Sequence, residues 1–222
     1  MAKASEQRTR RAERPRVVAV TGNMGSGKSS LVGWLERQLD MVPFFEPNDE
    51  NPYLADFYGD MSRWGLHSQL FFLIRRFQIH KDIDARAEGS GKDIVQDRTI
   101  YEDAEIFATH LHRKGHLSDR DFAMYQDFYQ TLRKELRPPD LLIYLRCPTK
   151  VLVQRIKRRG RSFEQGVPRA YLAALEELYE EFIARYADSE TIVIDTDRVD
   201  YLEGLFDRHE LLGEIRGKLG RV

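Results

Sequence analysis

Apolar residues in this chain fall into short unbroken runs, separated by longer stretches in which they recur every three or four positions. Arg16-Val-Val-Ala-Val-Thr21 is β-branched and stops at a glycine cluster, which predicts a buried strand. Further short runs predict strands at Pro43–Phe45, Ile94–Gln96, Leu141–Leu145 and Thr191–Ile194. Helical spacing lies between them, over Lys28–Leu39, Arg63 to Ala87, Glu102–Arg113, Asp119–Leu136, Thr149–Arg158, Pro168–Tyr186 and Val199–Leu219. Pro168 suits the first turn of its helix, where a missing N–H costs nothing. Five short apolar strands alternating with helices predict an α/β fold, a five-stranded parallel sheet with helices on both faces.

No repeat, low-complexity tract or linker divides the pattern, so residues 16–222 read as one domain. Residues 1–15 are polar and basic, with Lys3, Arg8, Arg10, Arg11 and Arg14 against Glu6 and Glu13. Such a segment buries too little to offset the entropy of ordering, so a disordered tail is expected. A transit peptide is the sharper alternative, weakened by the two acids.

Charge and composition narrow the class. The 35 Lys+Arg and 36 Asp+Glu leave a net charge of −1, no general reason to bind nucleic acid or an anionic membrane. No run of 18 apolar residues offers a membrane span, and the first sixteen residues lack a signal-peptide core. A single Cys cannot form an internal disulfide, which fits a reducing, cytoplasmic setting.

Chemistry concentrates at the strand ends. Gly22-Asn23-Met24-Gly25-Ser26-Gly27-Lys28-Ser29, followed by Ser30, fits G-x-x-x-x-G-K-[ST] between the first strand and the first helix. Its backbone N–H groups can wrap a triphosphate, Lys28 can reach the β/γ-phosphates, and the Ser29 hydroxyl can hold Mg2+. The loop alone does not separate kinase from GTPase or motor.

Glu46 follows the second strand, and ligands of open parallel sheets sit beyond strand carboxyl ends. It is either a surface acid or a general base for an attacking hydroxyl. Asp97-Arg98 ends the third strand, either as a structural pair or as a Mg2+ carboxylate beside a phosphoryl-binding arginine. Arg155, Lys157, Arg158, Arg159 and Arg161 crowd the segment before Glu164, flanked by Gly160 and Gly166. A mobile lid over about 158–167 could close these arginines on the phosphates, standing in solvent until it does. On the long helix, Gln69 and Arg76 are seven residues apart and share a face, with Asp103 able to complete a polar set. Gln69 can donate and accept at once, as a neutral nucleobase requires, while Phe71 and Phe72 read as core.

Together these motifs resemble the deoxynucleoside kinase family over about residues 16 to 197. The likeness rests on Gly22–Ser29, Glu46-Pro47, Tyr58, Gln69, Arg76, Asp97-Arg98-Thr99, Asp103 and Arg159-Gly-Arg161 with Glu164. The stretches from Glu46 to Tyr53 and from Asp97 to Ala104 resemble the bacterial deoxyadenosine and deoxyguanosine branch.

The resemblance implies a P-loop kinase fold with an Arg-rich lid, and ATP-dependent 5′-phosphorylation of deoxyribonucleosides with Mg2+ as cofactor. Deoxyadenosine would come first, then deoxyguanosine and deoxycytidine. It also implies a homodimer in nucleotide salvage. Glu46 resembles the general base, Arg98 the arginine between hydroxyl and phosphoryl group, and Asp97 with Ser29 the metal residues. Tyr58 and Glu164 match positions on the sugar 3′-hydroxyl, Gln69, Arg76 and Asp103 the base edge, and Phe107 the aromatic against the base. Arg155, Arg159 and Arg161 match lid arginines, and Asp195 and Asp197 flank a loop at the ATP adenine. Phe72 departs from the smaller residue of deoxycytidine-type enzymes.

A nucleoside monophosphate kinase of the thymidylate kinase type is the enzymatic alternative, but it needs extra cations for its acceptor's phosphate. A non-catalytic assembly subunit would have no use for Lys28, Ser29, Glu46, Asp97 and Arg98 together. A P-loop GTPase needs an N-K-x-D element, and none occurs.

Overall fold

Five parallel strands form one sheet: β1 (Val17–Thr21), β2 (Val42–Phe44), β3 (Ile94–Asp97), β4 (Leu141–Arg146) and β5 (Glu190–Asp195), in the order β2-β3-β1-β4-β5. This computed structural model describes residues 14–45, 50–161, 166–197 and 205–220. The tail expected over 1–15 lies outside them except for its last two residues, and Arg14 ion-pairs with Asp140 at 3.1 Å.

Strand alternation divides the sheet into two covered faces. Val18, Val20, Val95, Leu141, Ile143 and Ile192 pack with Leu31, Val32 and Trp34 of α1 (Lys28–Leu39) and Leu211 and Ile215 of α9 (Leu205–Lys218). Ala19, Leu142 and Tyr144 face the opposite way, into a cluster that includes Leu73 of α3 (Met61–Ser90) and Leu172, Leu175 and Tyr179 of α8 (Arg169–Arg185). Both layers expected from the apolar runs are therefore present.

Asp60 caps α3 by accepting from the Arg63 amide at 3.0 Å, and Gly91 ends it in a left-handed turn. Ser118 caps α6 (Asp119–Lys134), and α7 (Thr149–Arg159) stops at Gly160. A six-residue helix, α2 (Leu54–Gly59), was not expected, because one and a half turns are too short to show a period.

The stretch expected as a single helix over Glu102–Arg113 is broken in register. A capping box formed by Thr99 and Glu102 starts α4 (Ile100–Glu102). A π-helical segment, Asp103–Ala108, then precedes α5 (Thr109–Arg113). The Thr109 hydroxyl donates to the Ala104 carbonyl five residues back at 2.8 Å, a bond that suits the wider turn. Such segments are uncommon and cluster at functional sites; here Asp103 and Phe107 both face one cavity.

Candidate active site

The phosphate loop crosses from β1 to α1 with glycines where side chains cannot go. Gly22 (φ +146°) would place a Cβ 2.8 Å from the Leu145 carbonyl oxygen, and Gly25 (φ +80°) one 3.0 Å from Ile156. The loop is held by Ser26 N to Asn23 O at 3.1 Å and by Asn23 Nδ2 to Leu172 O at 2.9 Å. Buried Lys28 donates to Gly22 O at 3.0 Å and Asn23 O at 3.1 Å, so its ammonium lies across the loop mouth. Met24 contributes the cavity wall, where its sulfur is 3.9 Å from the Tyr58 hydroxyl. Ser30 is exposed on the first turn of α1.

Strand β3 delivers the acid and the arginine. The Ser29 hydroxyl donates to Asp97 Oδ2 at 2.5 Å. Asp97 Oδ1 is buried with no hydrogen-bond partner among the described residues, a free lone-pair set beside a hydroxyl. Magnesium is commonly bound by one or two carboxylates plus substrate phosphates, so this donor set fits Mg2+. Arg98 has a left-handed backbone (φ +70°), donates from Nη1 to the Tyr179 hydroxyl at 3.1 Å, and lies 4.9 Å from the Phe107 ring centre.

One cavity unites most of these residues. Its walls include Lys28, Ser29, Asp97 and Arg98 together with Gln69, Phe72, Arg76, Asp103 and Phe107, and Tyr58, Arg159 and Arg161 also line it. Arg76 Nε and Asp103 Oδ2 are 2.6 Å apart and almost fully buried. Gln69 is buried too, and its Oε1 has no partner among the described residues. A buried amide and a buried ion pair together offer the donors and acceptors that a nucleobase edge needs.

Other expected residues stand apart. Glu46 and Glu164 lie outside the described residues. Arg159 and Arg161 are exposed at the cavity rim. Arg155 does not stand in solvent as expected. Its Nη1 donates to Ser26 O and Thr196 Oγ1, both at 3.1 Å, and its Nη2 to Thr196 O at 2.7 Å. It therefore ties the phosphate loop to the turn after β5, because carbonyls at that distance satisfy its fork better than water does. Asp195 sits 3.4 Å from Arg146, and Asp197 is exposed on that same turn.

The site also contains residues that the sequence reading missed. Leu54 and Phe57 of α2, and Tyr171 of α8, line the cavity. Tyr171 and Tyr179 lie eight residues apart on an apolar stripe and look like core; nothing in their spacing marks them. Full burial pushes the Tyr171 phenol well above its usual range, so it stays a neutral hydroxyl.

A model of the deoxynucleoside kinase family matches residues 18–219. Deoxyadenosine kinase of Dictyostelium discoideum is 40% identical over 172 residues, 76% of this chain and 68% of that protein. Deoxyguanosine kinase of Lactobacillus acidophilus is 33% identical over 215 residues, 93% of this chain and 92% of the relative. Among solved structures, deoxyadenosine kinase from M. mycoides with bound dATP superposes with a TM-score of 0.79 at 29% identity, covering 90% of this chain and 99% of that one.

Proposed function

The chain belongs to the deoxynucleoside kinase family and is an ATP-dependent kinase of deoxyribonucleosides, and we propose that its preferred acceptor is deoxyadenosine, phosphorylated at the 5′-hydroxyl. The observation that carries this reading is one cavity lined both by Lys28, Ser29 and Asp97 and by Gln69 with the Arg76–Asp103 pair. A purine offers that edge what it lacks: adenine N7 accepts from Arg76, and its N6 amino group donates to Asp103 or Gln69.

In this reading Glu46 takes the proton from the 5′-hydroxyl and Arg98 stabilises the transferred phosphoryl group. Tyr58 and Glu164 hold the sugar, and Phe107 lies against the base. Gly22, Asn23, Met24, Gly25, Ser26, Gly27, Lys28, Ser29 and Ser30 form the ATP site with Arg155, Arg159, Arg161, Asp195 and Asp197. Ser29 and Asp97 would hold Mg2+, which would neutralise charge on the phosphates when bound. Residues 16–222 are one kinase domain with a lid at about 158–167, preceded by a basic tail over 1–15.

The monophosphate kinase alternative finds little support at the acceptor end, where Arg76 is already matched by Asp103. A panel of the four deoxynucleosides, their monophosphates and the ribonucleosides, assayed with ATP and Mg2+, tests the assignment. Deoxyadenosine should give the highest kcat/KM. Turnover of monophosphates without nucleosides would overturn it.

The exposed lid arginines supply charge rather than binding. Replacing Arg159 and Arg161 together by Ala should lower kcat roughly tenfold to a hundredfold, the effect of losing about 1.4–2.7 kcal/mol of transition-state stabilisation in all. Nucleoside affinity should stay within threefold; an equal fall in affinity with kcat unchanged would make the segment a nucleoside clamp.

We also propose that the enzyme is a homodimer. Ile74 on α3 and Met124 and Phe128 on α6 are large apolar side chains left exposed on two packed helices. Ile74→Glu combined with Phe128→Lys should give a monomer in sedimentation. No helix among the described residues is long and apolar enough to cross a membrane, and a cytoplasmic location accords with the single, buried Cys147.

A further inference from the structure

Among the described residues only Asp40 and Arg98 combine a side chain with a left-handed backbone, and Asp40 merely caps a helix. The conformation at Arg98 is uncommon for such a residue and persists only where its surroundings over-determine it. Arg98 N donates to Val20 O at 2.9 Å, which fixes the amide. The carbonyl on the other side is fixed by a side chain two residues back: Gln96 Nε2 donates to Arg98 O at 2.5 Å.

That same nitrogen lies 3.2 Å from His80 Nε2. A carbonyl can only accept, so the amide nitrogen of Gln96 must face Arg98 O, and its second hydrogen is directed to His80. His80 Nε2 therefore accepts, which requires a neutral ring with its proton on Nδ1. The surroundings favour that form, because burial first and nearby Arg76 second lower the His80 pKa to about 4.

The arrangement is costly for a core. Gln96 is 2% exposed in the sheet face toward α3, between apolar neighbours, and its Oε1 is buried with no partner among the described residues. An apolar side chain would fill the place without a stranded acceptor. Gln96 directly precedes Asp97 and grips the far side of Arg98, so its amide spans the two groups assigned to the metal and to the phosphoryl transfer. His80 in turn lies four residues beyond Arg76 on α3, on the face that lines the base pocket.

We propose that Gln96, oriented by His80, is a positioning residue that holds the left-handed turn at Arg98 and thereby aims the Arg98 guanidinium and the Asp97 carboxylate at the reacting phosphate. The inference rests on the reading of Arg98 as the phosphoryl arginine. Because neither Gln96 nor His80 lines the cavity, loss of the pair should act on the chemical step, where a displacement of about 1 Å can cost a hundredfold.

The test compares Gln96→Met, His80→Phe, His80→Gln and the Gln96→Met/His80→Phe double variant with Arg98→Met. Each is measured for kcat, for deoxyadenosine dissociation constant by equilibrium titration, and for thermal midpoint. Gln96→Met should lower kcat about tenfold to a hundredfold with nucleoside affinity within threefold of wild type. His80→Phe should do the same, while His80→Gln, which keeps an acceptor, should recover most of the rate. The double variant should be no slower than the worse single one, since both remove one device. Gln96→Met turning over within twofold of wild type, while Arg98→Met is inactive, overturns the inference and leaves the role of Arg98 standing. An affinity loss equal to the rate loss, or no recovery in a folded His80→Gln, also overturns it. Wild-type kcat in Arg98→Met removes the reading on which it rests.

Discussion

Glu46→Gln is expected to lower kcat by about 10²- to 10⁴-fold while leaving nucleoside affinity within a few-fold, the range that general-base catalysis supplies. A 5′-hydroxyl is a poor nucleophile until its proton leaves, and few groups near the cavity could take that proton. Lys28 and Arg98 are cations, Asp97 is engaged by the Ser29 hydroxyl, and Asp103 is paired with Arg76. Strand β2 runs parallel to β3, with Phe44 opposite Gln96, so the chain leaves β2 at the same carboxyl end of the sheet as Asp97 and the phosphate loop. Glu46 follows two residues later. Gln preserves its size and an acceptor oxygen but cannot take a proton, so loss of rate with retained binding isolates the proton step. Single-turnover phosphorylation of deoxyadenosine, with binding measured separately, decides it. A variant as fast as wild type would transfer the role elsewhere.

What could be read before the structure was known depended on how local the physics was. Arg16–Thr21 with the glycine cluster after it carries its fold and chemistry in one segment, because a strand, a turn that needs φ > 0 and a phosphate-binding helix start occur together. Gln69 and Arg76 were legible as neighbours because helical spacing fixes them on one face, and both line the cavity. The partnership of Arg76 with Asp103 could be suspected but its closeness could not. Asp103 opens a π-helical segment in which the Thr109 hydroxyl donates to the Ala104 carbonyl, and such a change of register has no periodic signature. Arg155 shows the opposite limit. Its neighbours Arg158, Arg159 and Arg161 read as one mobile basic segment, yet Arg155 faces Ser26 and Thr196, which are distant in sequence. Tyr171 was hidden for a related reason, since a residue lining a ligand cavity inside a core obeys the same apolar pattern as the core.

The Arg76–Asp103 pair also dictates the second large effect expected. Exchanging both residues, Arg76→Met with Asp103→Ala, should shift the kcat/KM ratio of deoxyadenosine to thymidine by about 10²-fold or more toward thymidine. The warrant is the cost of leaving a buried polar group unmatched, about 1–3 kcal/mol for each substrate edge that fails to meet it. Adenine presents an N7 acceptor and an N6 donor, whereas thymine brings its 5-methyl group to the corresponding edge. That methyl would meet a guanidinium and a carboxylate that are 5% and 1% exposed and 2.6 Å apart, with the Phe72 ring 5.8 Å from the guanidinium. Gln69 does not discriminate in the same way, because its amide can pair with either base by turning over. Single exchanges are the wrong test, since removing one member withdraws a buried counter-ion and costs about 3–5 kcal/mol of stability. The double variant removes both charges and leaves apolar space, so its thermal midpoint should stay above that of Arg76→Met alone. Measuring kcat/KM for both nucleosides in wild type and double variant settles the point. A wild type that already prefers thymidine, or a double variant that loses both activities in proportion, would show that the base is read elsewhere in the cavity.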